Sequence, residues 1–349
     1  MNKNKIINIL EKIIPPSQIR NINIFGTEII IDLNIDNPSL HAKKKLEKSI
    51  ISSFEKHHKI IVNFNVEKKK LVLPNDNKNK LVGIDNVIAI SSGKGGVGKS
   101  TTAVNLALAL KEEGANAAIL DADIYGPSIP RMLGVSGQPD SEDGKTLQPK
   151  IGHGLQSMSI GLLVEEDTPM IWRGPMVTQA LEQLLTDTQW KDVDYLIIDL
   201  PPGTGDVQLT LCQKIPVSGA VIVTTPQDIS LIDARKGLKM FEKVEVPVLG
   251  IVENMSTHVC KKCGHIESIF GEGGGEQLAS EAGVKLLGEL PLEKQIREEM
   301  DKGTPTVSSN PMDPASLAYR EIARKMTATL SMRKKDYSAA FPKIVIQND

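Results

Sequence analysis

The short apolar run Val87-Ile88-Ala89-Ile90-Ser91 passes through Ser92 into Gly93-Lys94-Gly95-Gly96-Val97-Gly98-Lys99-Ser100, and Thr101 to Leu110 then reads as a helix. A buried strand, a glycine-rich loop and a helix in that order admit few folds, because the loop must turn the chain at the carboxyl end of a sheet. The spacing Gly-x4-Gly-Lys-Ser is that of a phosphate-binding loop. Glycines let successive backbone N–H groups close around phosphate oxygens, and the helix N-terminus adds a favourable dipole. Lys99 then neutralises the β- and γ-phosphates, and the Ser100 hydroxyl completes a Mg²⁺ shell. Gly114 supplies the helix stop.

Two further apolar segments end in carboxylates. Ala117 to Asp123 reads as a strand tipped by Asp121 and Asp123, and Tyr195 to Leu200 as a strand tipped by Asp199. In open parallel sheets ligands gather at the carboxyl ends of strands, so Ser100, Asp121 and Asp199 are the expected magnesium set. The segment Pro201-Pro202-Gly203-Thr204-Gly205-Asp206 follows, and the Gly203 N–H is placed to sense a γ-phosphate as switch loops do. Ala220–Thr225, Val248–Asn254 and Leu286–Pro291 read as more strands with helices between them. The expectation is an α/β fold with a doubly wound, mostly parallel sheet.

Charge divides the chain of 349 residues. Residues 1–80 hold 15 Lys and Arg against 8 Asp and Glu, whereas the whole chain carries −2. The polar stretch Glu67 to Lys80 marks a boundary, giving a small α/β accessory domain at 1–75, a linker at 76–84, the nucleotide domain at 85–335 and a tail at 336–349. In the first domain Ile6–Ile14 and Pro38–Phe54 read as helices, and Glu28–Leu33 and Ile60–Val66 as strands. Its His57-His58 pair lacks a third donor nearby and reads as an exposed helix end. Aromatic residues are only 3% and the net charge is close to zero, so no nucleic acid is expected. No apolar run approaches the roughly 20 residues of a membrane span, and the first residues lack a signal-peptide core; the expected setting is cytoplasmic.

The chain has three cysteines, too few for a disulfide framework. Cys212 lies within a helical run and reads as a small buried hydrophobe. The others form His258-Val259-Cys260-Lys261-Lys262-Cys263-Gly264-His265. Cys-x-x-Cys lets Cys260 and Cys263 converge on one ion or one cluster edge, and Lys261 and Lys262 are expected to favour the thiolates. One chain offers two thiolates where zinc ribbons and iron–sulfur clusters usually take four. A symmetric homodimer supplies four; the neighbouring histidines offer a zinc site within one chain instead.

Lys94, which a generic phosphate loop does not require, makes the loop resemble the deviant loop of the MinD/ParA/nitrogenase-iron-protein class of dimeric ATPases. That resemblance implies that Lys94 reaches a partner's nucleotide, that Asp123 orients the attacking water and that Asn254 reads adenine. From about Val87 to Leu330 the chain closely resembles the Mrp/ApbC iron–sulfur cluster carriers. The matching runs are Ser92–Thr102, Asp121–Pro130, Trp172-Arg173-Gly174-Pro175, Asp199–Asp206, Thr225–Asp228, Glu253–Ser256, Cys260–Gly264 and Ile269-Phe270-Gly271. The resemblance implies an ATP-hydrolysing homodimer in which Cys260 and Cys263 of both subunits hold a [4Fe–4S] cluster, accepted from a donor and handed to apo-proteins. It also implies nucleotide contacts along Gly93 to Thr101 and catalytic parts for Lys94, Lys99 and Asp123. Relatives carry a cysteine-bearing loop in the small domain; here the corresponding Asn34-Ile35-Asp36-Asn37-Pro38-Ser39-Leu40 has none, so that domain is expected to dock rather than to ligate.

Two other classes compete with the carrier. One is a spatial regulator gated by ATP on a membrane or DNA. The helix Ala315–Met332 leads into Arg333-Lys334-Lys335-Asp336 without a membrane-targeting amphipathic pattern, which weighs against that class. The other is a dimeric ATPase whose Cys-x-x-Cys binds structural zinc.

Overall fold

The computed structural model describes residues 3–25, 28–35, 40–54, 59–66, 81–164, 174–260 and 262–333. Outside them lie His57-His58, all of Glu67–Lys80 and so most of the 76–84 linker, Trp172-Arg173, Lys261, the 336–349 tail and part of the Asn34–Leu40 segment. The chain forms two compact units, Met1–Asn75 with Ser331–Asp349 and Asp76–Leu330.

In the first unit the helix Lys3–Leu10 precedes β1 (Ile19–Phe25) and β2 (Glu28–Ile35), and the helix Leu40–Ser52 leads to β3 (Lys59–Val66). β1 pairs antiparallel with β2, and β2 parallel with β3. Ile6, Leu10, Ile29, Ile31, Leu33 and Ile50 are fully buried and form its core. The first helix ends four residues earlier than its apolar spacing suggests: residues 11–14 form turns, although Ile14 stays buried beside the core.

The second unit is built on eight strands: β4 (Val87–Ser91), β5 (Ala117–Asp121), β6 (Lys150–Gly152), β7 (Leu155–Ser159), β8 (Tyr195–Asp199), β9 (Gly219–Thr224), β10 (Val248–Glu253) and, after a small hairpin of β11 (His258–Val259) and β12 (Ile266–Glu267), β13 (Leu286–Glu289). The sheet order is β13-β10-β9-β4-β8-β5-β7-β6, parallel throughout except that β6 runs antiparallel to β7. β4, β5, β8 and β9 are buried at every residue, as strands covered on both faces must be. The period of two is visible in the packing. Val87 and Ala89 of β4 face one core, with the helices Gly174–Asp187 and Asp228–Lys243. Ile88 and Ile90 face the other, with the helices Lys99–Glu112 and Pro314–Arg333. This is the doubly wound sheet expected from the sequence, with a small sheet unit before it. β1 and the β6–β7 edge are additions that the apolar pattern did not foretell.

The strand order reverses around β4, whose neighbours are β9 and β8. At such a switch point the loops after the strands diverge and leave a crevice at their carboxyl ends. The loop after β4 is Ser92–Gly98.

Candidate functional site

The loop from Gly93 to Gly98 rises from β4 into the N-terminus of the helix Lys99–Glu112. Gly96 (φ +83°) and Gly98 (φ +81°) hold the left-handed backbone that turns it, which side-chain-bearing residues seldom adopt. Gly93 is required for another reason: a Cβ there would run into the backbone of Asp233 and Ala234. Val97 is buried and anchors the loop, while Lys94, Gly95 and Gly96 are exposed. Ser100 and Thr101 are half-buried in the first helical turn. The Ser92 hydroxyl donates to the Lys94 carbonyl at 2.8 Å, but the Lys94 side chain stands in solvent, away from the carboxylates that Lys99 meets.

Lys99 is 5% exposed, and its Nζ lies 2.7 Å from Asp199 Oδ1, 3.2 Å from Ser100 Oγ and 3.7 Å from Asp123 Oδ2. Asp121 and Asp199 are direct register partners at the ends of β5 and β8, and both are fully buried. β5 ends at Asp121, so Asp123 stands beyond the strand rather than at its tip. Asp121 Oδ2 accepts from the N–H groups of Ser128 (3.1 Å) and Ile129 (3.2 Å) and from the Ser159 hydroxyl (3.1 Å); Oδ1 accepts from the Asp123 N–H (3.1 Å). Burial, followed by repulsion from Asp199, pushes the Asp121 carboxyl up to about 7. Burial also raises Asp199 and Asp123, against the pull of Lys99 in each case.

Asp199 Oδ2 is buried without a hydrogen-bond partner among the described residues. An orphaned carboxylate oxygen beside two other carboxyl groups is costly, and a cation satisfies it. Ser100 and the free Asp199 oxygen are donors of the kind a hard divalent ion such as Mg²⁺ takes when phosphates fill the rest of its shell, whereas both Asp121 oxygens are already hydrogen-bonded. The Gly203 N–H does not fit its expected part: it donates to the Ser92 carbonyl at 2.9 Å and so ties the segment after β8 to the loop after β4. Ser159, which helps to clamp Asp121, was illegible in sequence because it sits on the short strand β7.

Asn254 follows β10 and is 7% exposed. Its Nδ2 donates to the Val97 carbonyl at 2.8 Å, and a Cβ on Gly98 would collide with the same amide. The adenine-reading candidate thus rests directly on the phosphate loop.

The cysteine pair lies apart from these groups, on the β11–β12 hairpin. The Cys260 N–H donates to the His265 carbonyl (2.9 Å) and the Gly264 N–H to the Cys260 carbonyl (2.8 Å), with Gly264 at φ +72° completing the knuckle. Cys260 is half-buried and Cys263 exposed, and neither is in a disulfide. The Cys260 thiol is held below its ordinary range, first by the backbone N–H groups of Cys263 and Lys262, then by the Cys263 side chain. The knuckle backbone favours this thiolate; Lys261, one of the two lysines expected to do so, lies outside the described residues. Among the described residues no group of three or more His, Cys, Asp or Glu is placed to hold a metal ion.

Residues 83–327 match the family described as ParA, NUBPL iron-transfer P-loop NTPase. The iron-sulfur cluster carrier protein of Escherichia coli (strain K12) is 62% identical over 249 residues, which span 71% of this chain and 68% of that protein. The iron-sulfur cluster transfer protein NUBPL of Mus musculus is 51% identical over 250 residues, 71% of this chain and 78% of that one. A nucleotide-binding protein from Archaeoglobus fulgidus, solved in complex with ADP, superposes with a TM-score of 0.59 at 36% identity, covering 67% of this chain and 91% of that one. The MinD cell division protein of Aquifex aeolicus shares the fold, with a TM-score of 0.50 at 23% identity over 70% of this chain and 97% of its own. With the matched family covering the whole nucleotide unit from before β4 into the last helix, the chain belongs to the ParA-type, NUBPL iron-transfer P-loop NTPases.

Proposed function

We propose that this protein is an ATP-binding and ATP-hydrolysing iron–sulfur cluster carrier. It holds a [4Fe–4S] cluster between two copies of itself and delivers it to apo-proteins after loading from a donor. The observation that carries this reading is a pair of accessible cysteines, one with a favoured thiolate, on a hairpin that leaves the nucleotide unit six residues after Asn254. Thiolates are the ligands that iron–sulfur chemistry selects, and two per chain make four in a symmetric pair. The names of the E. coli and mouse relatives agree with it.

In this reading ATP lies along Gly93 to Thr101, with its base at Asn254. Lys99 exchanges Asp199 for the β- and γ-phosphates; Ser100, Asp199 and Asp121 would hold Mg²⁺, which would supply charge neutralisation for phosphoryl transfer. Asp123, partly exposed beside Lys99, orients water. Lys94 serves the nucleotide of the other copy, which suits its exposure and links hydrolysis to pairing. Residues 1–75 act as a docking module joined through 76–84, 85–335 as the carrier proper, and 336–349 as a tail. We place the protein in the cytoplasm, without membrane or nucleic-acid partners.

The test is iron retention after anaerobic loading of the single variants Cys260→Ala, Cys263→Ala and Cys212→Ala. Loss in the first two with retention in the third supports the reading; equal retention in all three contradicts it.

A further inference from the structure

Asn254 and Met255 stand between the two halves of the proposed site, and their geometry gives them a shared part. Asn254 is fixed to β9 by its N–H on the Thr224 carbonyl (2.7 Å) and to the phosphate loop by its side chain on the Val97 carbonyl (2.8 Å). Met255 follows in the left-handed region at φ +59°, rare for a residue with a side chain, and its Cε lies 3.8 Å from where a Gly98 Cβ would be. Two consecutive side chains thus bear on the one loop glycine that opens the nucleotide helix.

Beyond this elbow the stem is braced at each step to the strand exit Leu290–Leu292. The Ser256 N–H donates to the Leu290 carbonyl (3.0 Å) and the Leu292 N–H to the Thr257 carbonyl (2.8 Å); His258 Nδ1–H donates to the Leu292 carbonyl (2.9 Å). The Cys260–His265 bond then closes the hairpin. Cys260 follows Asn254 by six positions, and Ser256, Thr257 and His258 are each hydrogen-bonded to that strand exit.

We propose that Asn254 and Met255 are positioning residues that couple the state of the phosphate loop to the placement of Cys260 and Cys263. The inference rests on the nucleotide and cysteine assignments above and supplies the link between them. When the backbone at Val97–Gly98 closes on phosphates, the carbonyl that holds Asn254 and the surface under Met255 move together. For Met255, held at positive φ, the extended region is the ordinary alternative well, and we take these two wells as the settings that coupling between the sites requires. The braced stem carries the change to the knuckle. Linkage makes the effect reciprocal: whatever occupies the cysteines shifts nucleotide affinity by the same factor.

The test uses the full chain without cluster, so that it stands apart from the carrier reading. Iodoacetamide alkylation of Cys260 and Cys263 is followed by mass spectrometry with and without Mg-ADP, with buried Cys212 as the unreactive reference. The wild-type rate changes about fivefold or more on adding nucleotide. In Met255→Gly, which frees the elbow and leaves the nucleotide and cysteine residues in place, nucleotide binds as before and the change falls below about twofold. A wild-type rate indifferent to nucleotide overturns the proposal, as does a Met255→Gly response equal to wild type. If Met255→Gly fails to fold, Met255→Ala, which removes the side chain over Gly98 and leaves Asn254 in place, replaces it with the same two outcomes. Failure to load a cluster, by contrast, refutes the carrier reading and leaves this measurement standing.

Discussion

Lys99 has no solvent to turn to when its partner leaves. It is buried with Asp199, and taking either charge away strands the other in a low-dielectric site. Lys99→Ala is therefore expected to abolish measurable nucleotide binding by calorimetric titration and to lower the melting temperature; wild-type affinity would refute its assignment. Lys94 is exposed and pairs with neither carboxylate, so Lys94→Ala keeps nucleotide affinity and stability but loses turnover by about 10³-fold or more, the effect of a charge supplied across an interface. Phosphate release at saturating ATP checks it, and unchanged turnover rules out the part in trans. Asp121 makes a prediction about pH. Its carboxyl is raised to about 7 in the fold against 3.8 as the ordinary value. The folded state thus binds a proton that the unfolded state has released, and this contribution to stability is full below about pH 4 and lost as pH rises through about 7. Asp121→Asn should flatten that part of the urea-midpoint profile, and an unaltered slope would contradict the assignment. Lys99 and Ser100 were legible from spacing because the loop geometry tolerates few residues. The Ser92 carbonyl's claim on Gly203 was not, since that bond joins loops from two strands 109 residues apart and leaves no mark on either segment alone.

Among the elements, the helix Lys99–Glu112 and the final helix Pro314–Arg333 are locked by charge where the first ends. Glu113 is nearly buried and accepts from Arg320 Nε (2.7 Å) and from Arg324 Nε and Nη2 (2.9 and 2.7 Å). Burial pushes its carboxyl up, but the hydrogen bonds from Arg324 and Arg320 outweigh it and hold it below the usual range. The stability it contributes is thus present above its ordinary pKa and lost as pH falls through the lowered one. Glu113→Gln should cost about 2–3 kcal/mol, at or below the low end for a broken buried pair because Arg324 is partly solvated. Chemical denaturation measures it; a cost under about 0.5 kcal/mol would mean the cluster is only a surface pair. The central strands were readable because each is buried on both faces and so runs almost wholly apolar. β6 and β7 were not: Lys150-Ile151-Gly152 is three residues long with Ile151 exposed, and in Leu155–Ser159 the polar Gln156, Ser157 and Ser159 break the apolar run, Ser159 serving the site. β1 was missed because Arg20, Asn21 and Asn23 dilute its alternation.

On the scale of the molecule, the family match covers residues 83–327 and leaves the first unit outside it. That unit has its own core, and the boundary expected from the shift in charge and composition falls within 67–80, outside the described residues. Its chemistry stayed unreadable, as expected of a module without cysteines. The second unit joins two sites of different character. The proposed nucleotide crevice carries the buried carboxylates Asp121 and Asp199, and the cysteine hairpin carries Val259 and Ile266 as an exposed apolar pair. An accessible cysteine pair with apolar neighbours suits the proposed cluster site, completed by a second copy and then opened to a recipient. The most direct test of that claim is anaerobic reconstitution with iron and sulfide, read by visible absorption, iron per chain and mass in solution. The account predicts a coloured dimer with about four irons per two chains, two from each chain's share of a four-thiolate site. A colourless protein with one tight zinc per dimer, or a monomer that binds iron fully by itself, would contradict it.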